Sequence, residues 1–257
     1  MTTQDAFIGR VTAALRPPDQ HARNRKKFIY PTGSDIAKEV LNRIQRRSPA
    51  ERIELLTQLI KQGKPLNLHV IPTKDISATA TAIAELIEER SPEWGGPKSV
   101  AAWHHPLIDA LDMKPHLTNQ QVIYFPAIPV IGASGTDEDS AHLRRLERAF
   151  VGITSADYCL AETATLVIKT RPACARSVSL LPTIHVAVIE LKQVIANLVE
   201  LFALLKIDGK RPCLGLGNCL TMITGPSKTA DIELTMVHGA HGPRELYLYI
   251  IAPEAVK

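Results

Sequence analysis

Apolar residues recur at two periods along this chain, and the alternation between them outlines a fold. Phe7, Ile8, Val11, Ala14 and Leu15 fall at helical spacing until Pro17-Pro18 stops the pattern. A second helix is expected from Asp35 to Arg46. Residues 1–48 then read as a helical N-terminal extension, packed on its own domain or exchanged with a partner subunit. From residue 49 to 257 the pattern alternates within one α/β domain. Ser48 caps a helix opened by Pro49, with Glu51 in its first turn and Gly63 near its end. Leu68–Ile71 reads as a strand, Ser77–Arg90 as a helix, and Ser99–Trp103 and Gln121–Phe125 as strands. Asp137–Phe150 is a charged amphipathic helix. Strands follow at Tyr158–Ala161, Thr165–Lys169 and Ile184–Ile189, then a helix over Val194–Leu205. The runs Leu220–Thr224 and Leu246–Ile251 are two further strands, with a helix from Lys228 to about Val237 between them. Strands alternating with helices imply a three-layer α/β fold with a mostly parallel sheet. The close spacing of the strands between 158 and 189 implies an antiparallel element added to that sheet.

Composition bounds the function. With 45% hydrophobic and 22% charged residues in 257, a sizeable core can form. A net charge of +4 does not call for nucleic acid. The basic run Arg23-Asn24-Arg25-Lys26-Lys27 is short enough to be a solvated face. Cys159, Cys174, Cys213 and Cys219 form no C-x-x-C pair and no iron–sulfur spacing, which suits reduced, packed thiols in the cytoplasm. No secretory leader is evident, and the greasiest segment, Ile195–Leu205, is too short for a membrane span.

The candidate chemistry lies where strands begin or end. Gly225-Pro226-Ser227-Lys228-Thr229-Ala230-Asp231 is read as a strand, a turn and a helix start. Ser227 would be the N-cap. The unpaired amides, with Lys228 and Thr229, would cradle an anion, while Asp231 and Glu233 stabilise the same dipole. Ordinary capping explains the segment equally well. In His241-Gly242-Pro243-Arg244-Glu245, His241 could move a proton and Arg244 could fork a carboxylate or phosphate; an ion pair with Asp231, Glu233 or Glu245 is the plainer role. His238 and His241 lack a third metal ligand at suitable spacing, so neither a metal nor another cofactor is expected. Asp157 and Glu162 flank a short strand, with Thr163 and Thr165 beside the second carboxylate. Glu162 could act as nucleophile or base, or simply accept turn amides. His185 opens a β-branched strand, where a histidine is more often a satisfied core residue.

Taken in order, Gly152-Ile153-Thr154 with Ala156-Asp157, Ala161-Glu162-Thr163-Ala164-Thr165-Leu166, Ser179-Leu180-Leu181-Pro182 with Ile184-His185, Gly225 to Glu233, and His241 to Leu246 resemble the LUD-domain family. The resemblance covers roughly residues 50–257 and is strongest after 150. It implies a fold like that of the NagB/RpiA/CoA-transferase group and a place in oxidation of L-lactate to pyruvate, where the iron–sulfur clusters belong to two other subunits. The expected partners are therefore those iron–sulfur subunits and a small carboxylate or phosphate. Thr154, Asp157, Thr163, Ser179, His185, Ser227, Lys228, Thr229, Asp231 and Arg244 are the candidate ligand-binding residues, and Glu162 and His241 the candidate catalytic ones. Ala164 departs from the family, which usually has Gly there; if that position needs φ > 0, Ala164 alters the loop. An alternative is a stand-alone enzyme, like an acyl-CoA transferase or folate cyclo-ligase, using Glu162. A scaffolding domain whose polar loops only cap helices is the third reading.

Overall fold

The computed structural model describes residues 6–7, 35–92, 95–118, 122–126, 144–171, 174–208, 219–230, 236–239 and 241–256. By its contacts the chain divides into two units, Met1–Glu39 and Val40–Lys257. Every described strand lies in the second unit, and helix α1 (Asp35–Gln45) starts just before it. Helix α2 (Pro49–Gly63) starts as its sequence dictates: the Ser48 amide donates to Glu51 at 2.7 Å, and the Glu51 amide donates to the Ser48 hydroxyl at 3.3 Å. Strand β1 (Leu68–Thr73) leads to α3 (Ile76–Glu89), whose Asp75 cap accepts from the Ala78 amide at 2.8 Å. Then come β2 (Ser99–Ala102), the short helices α4 (Pro106–Asp109) and α5 (Met113–Leu117), β3 (Ile123–Pro126) and β4 (Val151–Ser155). Strands β5 (Tyr158–Leu160) and β6 (Thr165–Lys169), helix α6 (Ser177–Leu180), β7 (Ile184–Glu190), β8 (Val194–Ile195) and α7 (Leu198–Asp208) follow. The chain ends with β9 (Leu220–Ile223), β10 (Lys228–Ala230), β11 (Met236–His238) and β12 (Glu245–Ile251).

Six strands form one parallel sheet in the order β1-β12-β7-β4-β2-β3. Its strands read as continuous apolar runs because both faces are covered. Val100, Ile153, Val186, Val188 and Tyr249 meet α3, α4 and α5 on one face. Ala101, Ala187, Ile189, Leu246 and Leu248 meet α2 and a second sheet on the other. That second sheet, β8-β5-β6-β9, packs its far face on α7 through Leu160, Val167, Ile195, Leu201 and Leu205. Among the described residues no helix is long and apolar enough to cross a membrane.

The α/β class and the parallel sheet match the reading from sequence, and several details differ. The antiparallel strands β5, β6 and β9 build the separate second sheet, whereas β7 runs parallel in the middle of the main one. Strand β4 was not foreseen; all five of its residues are buried, so it shows no polar alternation. The expected helix after Ser227 is instead an antiparallel hairpin of β10 and β11. Gly225 and Gly239 both sit at φ 82°, and the Ser227 amide and carbonyl bond to Pro243 and Gly239 across the chain, so no helix starts there. Helix α7 begins at Leu198 because Asn197, which interrupts the apolar run, accepts from the Val199 and Glu200 amides as its cap. Of the helix expected over Asp137–Phe150, residues 144–150 are described, and of these 144–147 are helical.

Candidate functional site

A cavity of about 290 Å³ opens near the amino ends of β7 and β12. Its wall includes Ser179, His185, Thr224, Ser227, His241 and Leu246; all but Thr224 come from three of the segments singled out in the sequence. His185 is the second residue of β7, with Leu246 of β12 on one side and Gly152 of β4 on the other. Gly152 is required by crowding: a Cβ there would lie 2.0 Å from the Val178 carbonyl oxygen, so only glycine lets α6 dock against the strand. That docking puts Ser179 at the wall, its hydroxyl donating to the Arg176 carbonyl at 2.9 Å.

His185 is 1% exposed, and its Nε2 lies 2.7 Å from the Thr154 hydroxyl. Burial pulls its pKa down to about 3, so the ring is neutral near pH 7 and serves as a hydrogen-bonding group, not a cation. Its Nδ1 is buried with no partner among the described residues. Thr154 is itself fully buried and lies behind His185, outside the cavity lining. A row of hydroxyls reaches the wall from outside: Thr163 to Thr165 at 2.8 Å, and Thr165 to Thr224 at 2.7 Å. Glu162, at the other end of that row, is exposed and lies outside the cavity lining, with its amide bonded to the Ala196 carbonyl. Ala164, beside it, does adopt φ 49°, the left-handed conformation that favours glycine.

Other candidates lie elsewhere. Lys228 is exposed at the start of β10, and Thr229 follows it in that strand; the amide cradle expected there does not form, because strand pairing replaces the helix start. Asp231 lies outside the described residues. Arg244 lines a separate cleft of about 340 Å³ with Arg90 and Glu245. There Glu245 pairs with Arg90 at 3.2 Å and accepts from the Tyr247 hydroxyl at 2.5 Å. A wider cleft of about 1030 Å³, near Tyr124, Arg144, Arg145 and Arg148, carries none of the candidate residues. Asp157 is committed to structure: it accepts from the Lys169 amide at 2.8 Å and pairs with Arg171 and the Lys169 ammonium.

At the carboxyl end of the sheet the sequence reading chose Thr154 and Asp157 but passed over their neighbours. His104 and His105 follow β2 there, Ser155 closes β4, and Arg171 lies just beyond β6. His104 Nδ1 is 2.9 Å from Asp109, and the pKa of half-buried His105 is lowered, first by burial and then by the positive charge of Arg171. A histidine pair directly after a predicted strand was the available signal.

The profile of the LUD domain matches residues 56–251. The chain belongs to the LUD domain family. Its relatives in that family include Lactate utilization protein C of Halalkalibacterium halodurans, 28% identical over 246 residues, which span 94% of this chain and 91% of that protein. The protein of the same name from Shouchella clausii is 28% identical over 93% of both chains. That of Bacillus velezensis is 37% identical over 107 residues, 42% of this chain and 44% of its own. A crystal structure of a DUF162 family protein from Deinococcus radiodurans is 22% identical, with a TM-score of 0.46, and covers 79% of this LUD protein and 98% of its own chain.

Proposed function

We propose that this protein is the non-iron–sulfur subunit of an L-lactate utilisation system and that its 290 Å³ cavity holds a small organic acid. The relatives named Lactate utilization protein C support the biological setting. The observation that carries the ligand reading is the convergence of Ser179, His185, Thr224, Ser227 and His241 on one cavity. Its volume lies at the low end of the roughly 300–1,000 Å³ found for ligand pockets, which suits a three-carbon acid and not a nucleotide-sized cofactor. His185 and the hydroxyls would orient the ligand, and exposed His241 would meet its carboxylate at the rim.

Calorimetric titration of the full-length protein with lactate, pyruvate and phosphate tests this. Binding of lactate or pyruvate is expected, weakened about tenfold by Ser227→Ala through loss of a hydrogen bond to a charged group. Absence of binding, together with no co-purification of iron–sulfur subunits, would refute it. A second reading, acyl transfer at Glu162, is favoured by the exposure of that carboxylate and the hydroxyl row joining its turn to the cavity. It expects a trappable thioester on Glu162, and unchanged turnover in Glu162→Gln removes it.

A further inference from the structure

The cleft of about 1030 Å³ has no part in the proposed function, yet its wall is chemically distinctive. It lies at the amino ends of four parallel strands. Ser99 and Ile123, the first residues of β2 and β3, line it, as do Phe150 and Thr183, the residues just before β4 and β7. The smaller cavity is at the same end of the sheet, with Leu180 on its wall and Leu181 on that of the cleft.

Two kinds of side chain meet in the cleft. Arg144, Arg145 and Arg148 all line it and all are exposed. Arg148 follows Arg145 by three residues and Arg144 by four, the spacing that sets side chains beside one another on a helix, and residues 144–147 are helical. Glu147 is the only carboxylate among the described lining residues. None of the three guanidiniums has a hydrogen-bond or ion-pair partner among the described residues. Like charges at this spacing repel, and a cleft lined by one sign of charge concentrates counter-ions. Both effects favour an anion with more than one charge. Much of the remaining wall is apolar: Ile123 is 54% and Leu181 45% exposed, and Tyr124 lies with them. A lone phosphate would fill a small part of this volume and would leave those apolar side chains in water.

We propose that this cleft is a nucleotide site, in which the arginines fork the phosphates of a nucleoside diphosphate and Ile123, Leu181 and Tyr124 take its base and sugar. Guanidinium groups match phosphate oxygens with two parallel donors each. Three of them suit a chain of phosphates, and the apolar part of the wall suits a flat ring. The volume falls at the upper end of the roughly 300–1,000 Å³ found for ligand pockets, which favours a small molecule over a protein surface. This inference goes beyond the proposed function and does not rest on it.

The test is calorimetry on full-length protein with ADP and inorganic pyrophosphate as separate probes. Arg144→Gln, Arg148→Gln and Ile123→Thr are compared with the cavity variant Ser227→Ala. ADP is expected to bind about tenfold more tightly than pyrophosphate, through the contact of its base with the apolar wall. Each arginine variant should weaken both probes about tenfold, through loss of hydrogen bonds to a charged group. Ile123→Thr should weaken ADP several-fold and leave pyrophosphate unchanged, since pyrophosphate has no base. Ser227→Ala should change neither. Without ligand, the arginine variants should not lower the melting temperature, because their guanidiniums have no bond to lose. Absence of ADP binding overturns the proposal. So does ADP binding no tighter than pyrophosphate, or binding indifferent to all three cleft variants. Loss confined to Ser227→Ala places the nucleotide in the smaller cavity and overturns this site. Failure of lactate and pyruvate to bind would count against the proposed function alone.

Discussion

Gly152 and Ala164 show how single positions constrain this fold. Any side chain at Gly152 collides with the Val178 carbonyl, and backbone cannot yield as a side-chain tip can. Gly152→Ala is expected to cost about 3 kcal/mol, the upper range for overpacking, and to lower the melting temperature by roughly 6–12 °C. Ala164 is the reverse case, an L-residue in a conformation glycine enters freely. Ala164→Gly is expected to stay within about 1 kcal/mol of the parent, since relief of strain offsets the entropy of glycine in the unfolded chain. Ala164→Val should fall by about 2 kcal/mol, because the site is also fully buried. Thermal unfolding of both variants checks this. His185 supplies a pH signature. Its folded pKa, about 3, lies below the ordinary 6.5, so the unfolded chain binds the extra proton between those values. Stability is therefore full above pH 6.5 and declines on acidification towards pH 3, by at most about 1.4 kcal/mol per pH unit from this group. Denaturant unfolding at several pH values should show this slope, and His185→Gln should remove its share.

Among the elements, α1 and α7 are joined by charge. Glu200 on α7 is fully buried and accepts from Arg47 at 2.6 Å, from Arg43 at 3.1 Å and from the Ala196 amide at 2.8 Å. Removing one partner of such a group costs about 3–5 kcal/mol, because the other charge is left buried and unpaired. Replacing both arginines by alanine should therefore lower the melting temperature by about 10 °C, on the order of 2–4 °C per kcal/mol for a chain of this size. Such pairings explain which elements were legible. The α2 start was, because Ser48, Pro49 and Glu51 act within one turn. The β10–β11 hairpin was not, because Ser227 followed by polar residues has the look of a helix cap, and only cross-chain bonds to Pro243 and Gly239 decide otherwise. The second sheet was hidden for the same reason: the pairing of β6 with β9 joins Leu166 to Ile223, far apart in the chain.

For the whole molecule, the sheet order implies a gradient of protection. Strands β7 and β12 lie inside the main sheet with nearly every residue buried, whereas β3 is an edge strand and β10–β11 an isolated pair. Native-state hydrogen exchange should be slowest in β7 and β12 and faster by orders of magnitude in β3 and β10. The candidate site divides along similar lines. Ser179, His185, Ser227 and His241 could be picked from sequence because strand ends concentrate polar residues. That Arg244 belongs to another cleft depends on how distant strands pair, which no local pattern encodes.

The threonine row has one more consequence. Each of the three hydroxyls has a single proton, so the row has a direction, and reversing it needs only three bond rotations with every oxygen left in place. Oriented one way, Thr224 offers its proton to the cavity; oriented the other way, it offers a lone pair. A 2-oxo acid presents only an acceptor at its second carbon, and a 2-hydroxy acid can present a donor. Under the proposed function, the same wall would receive the reduced and oxidised members of such a couple by turning hydroxyls alone.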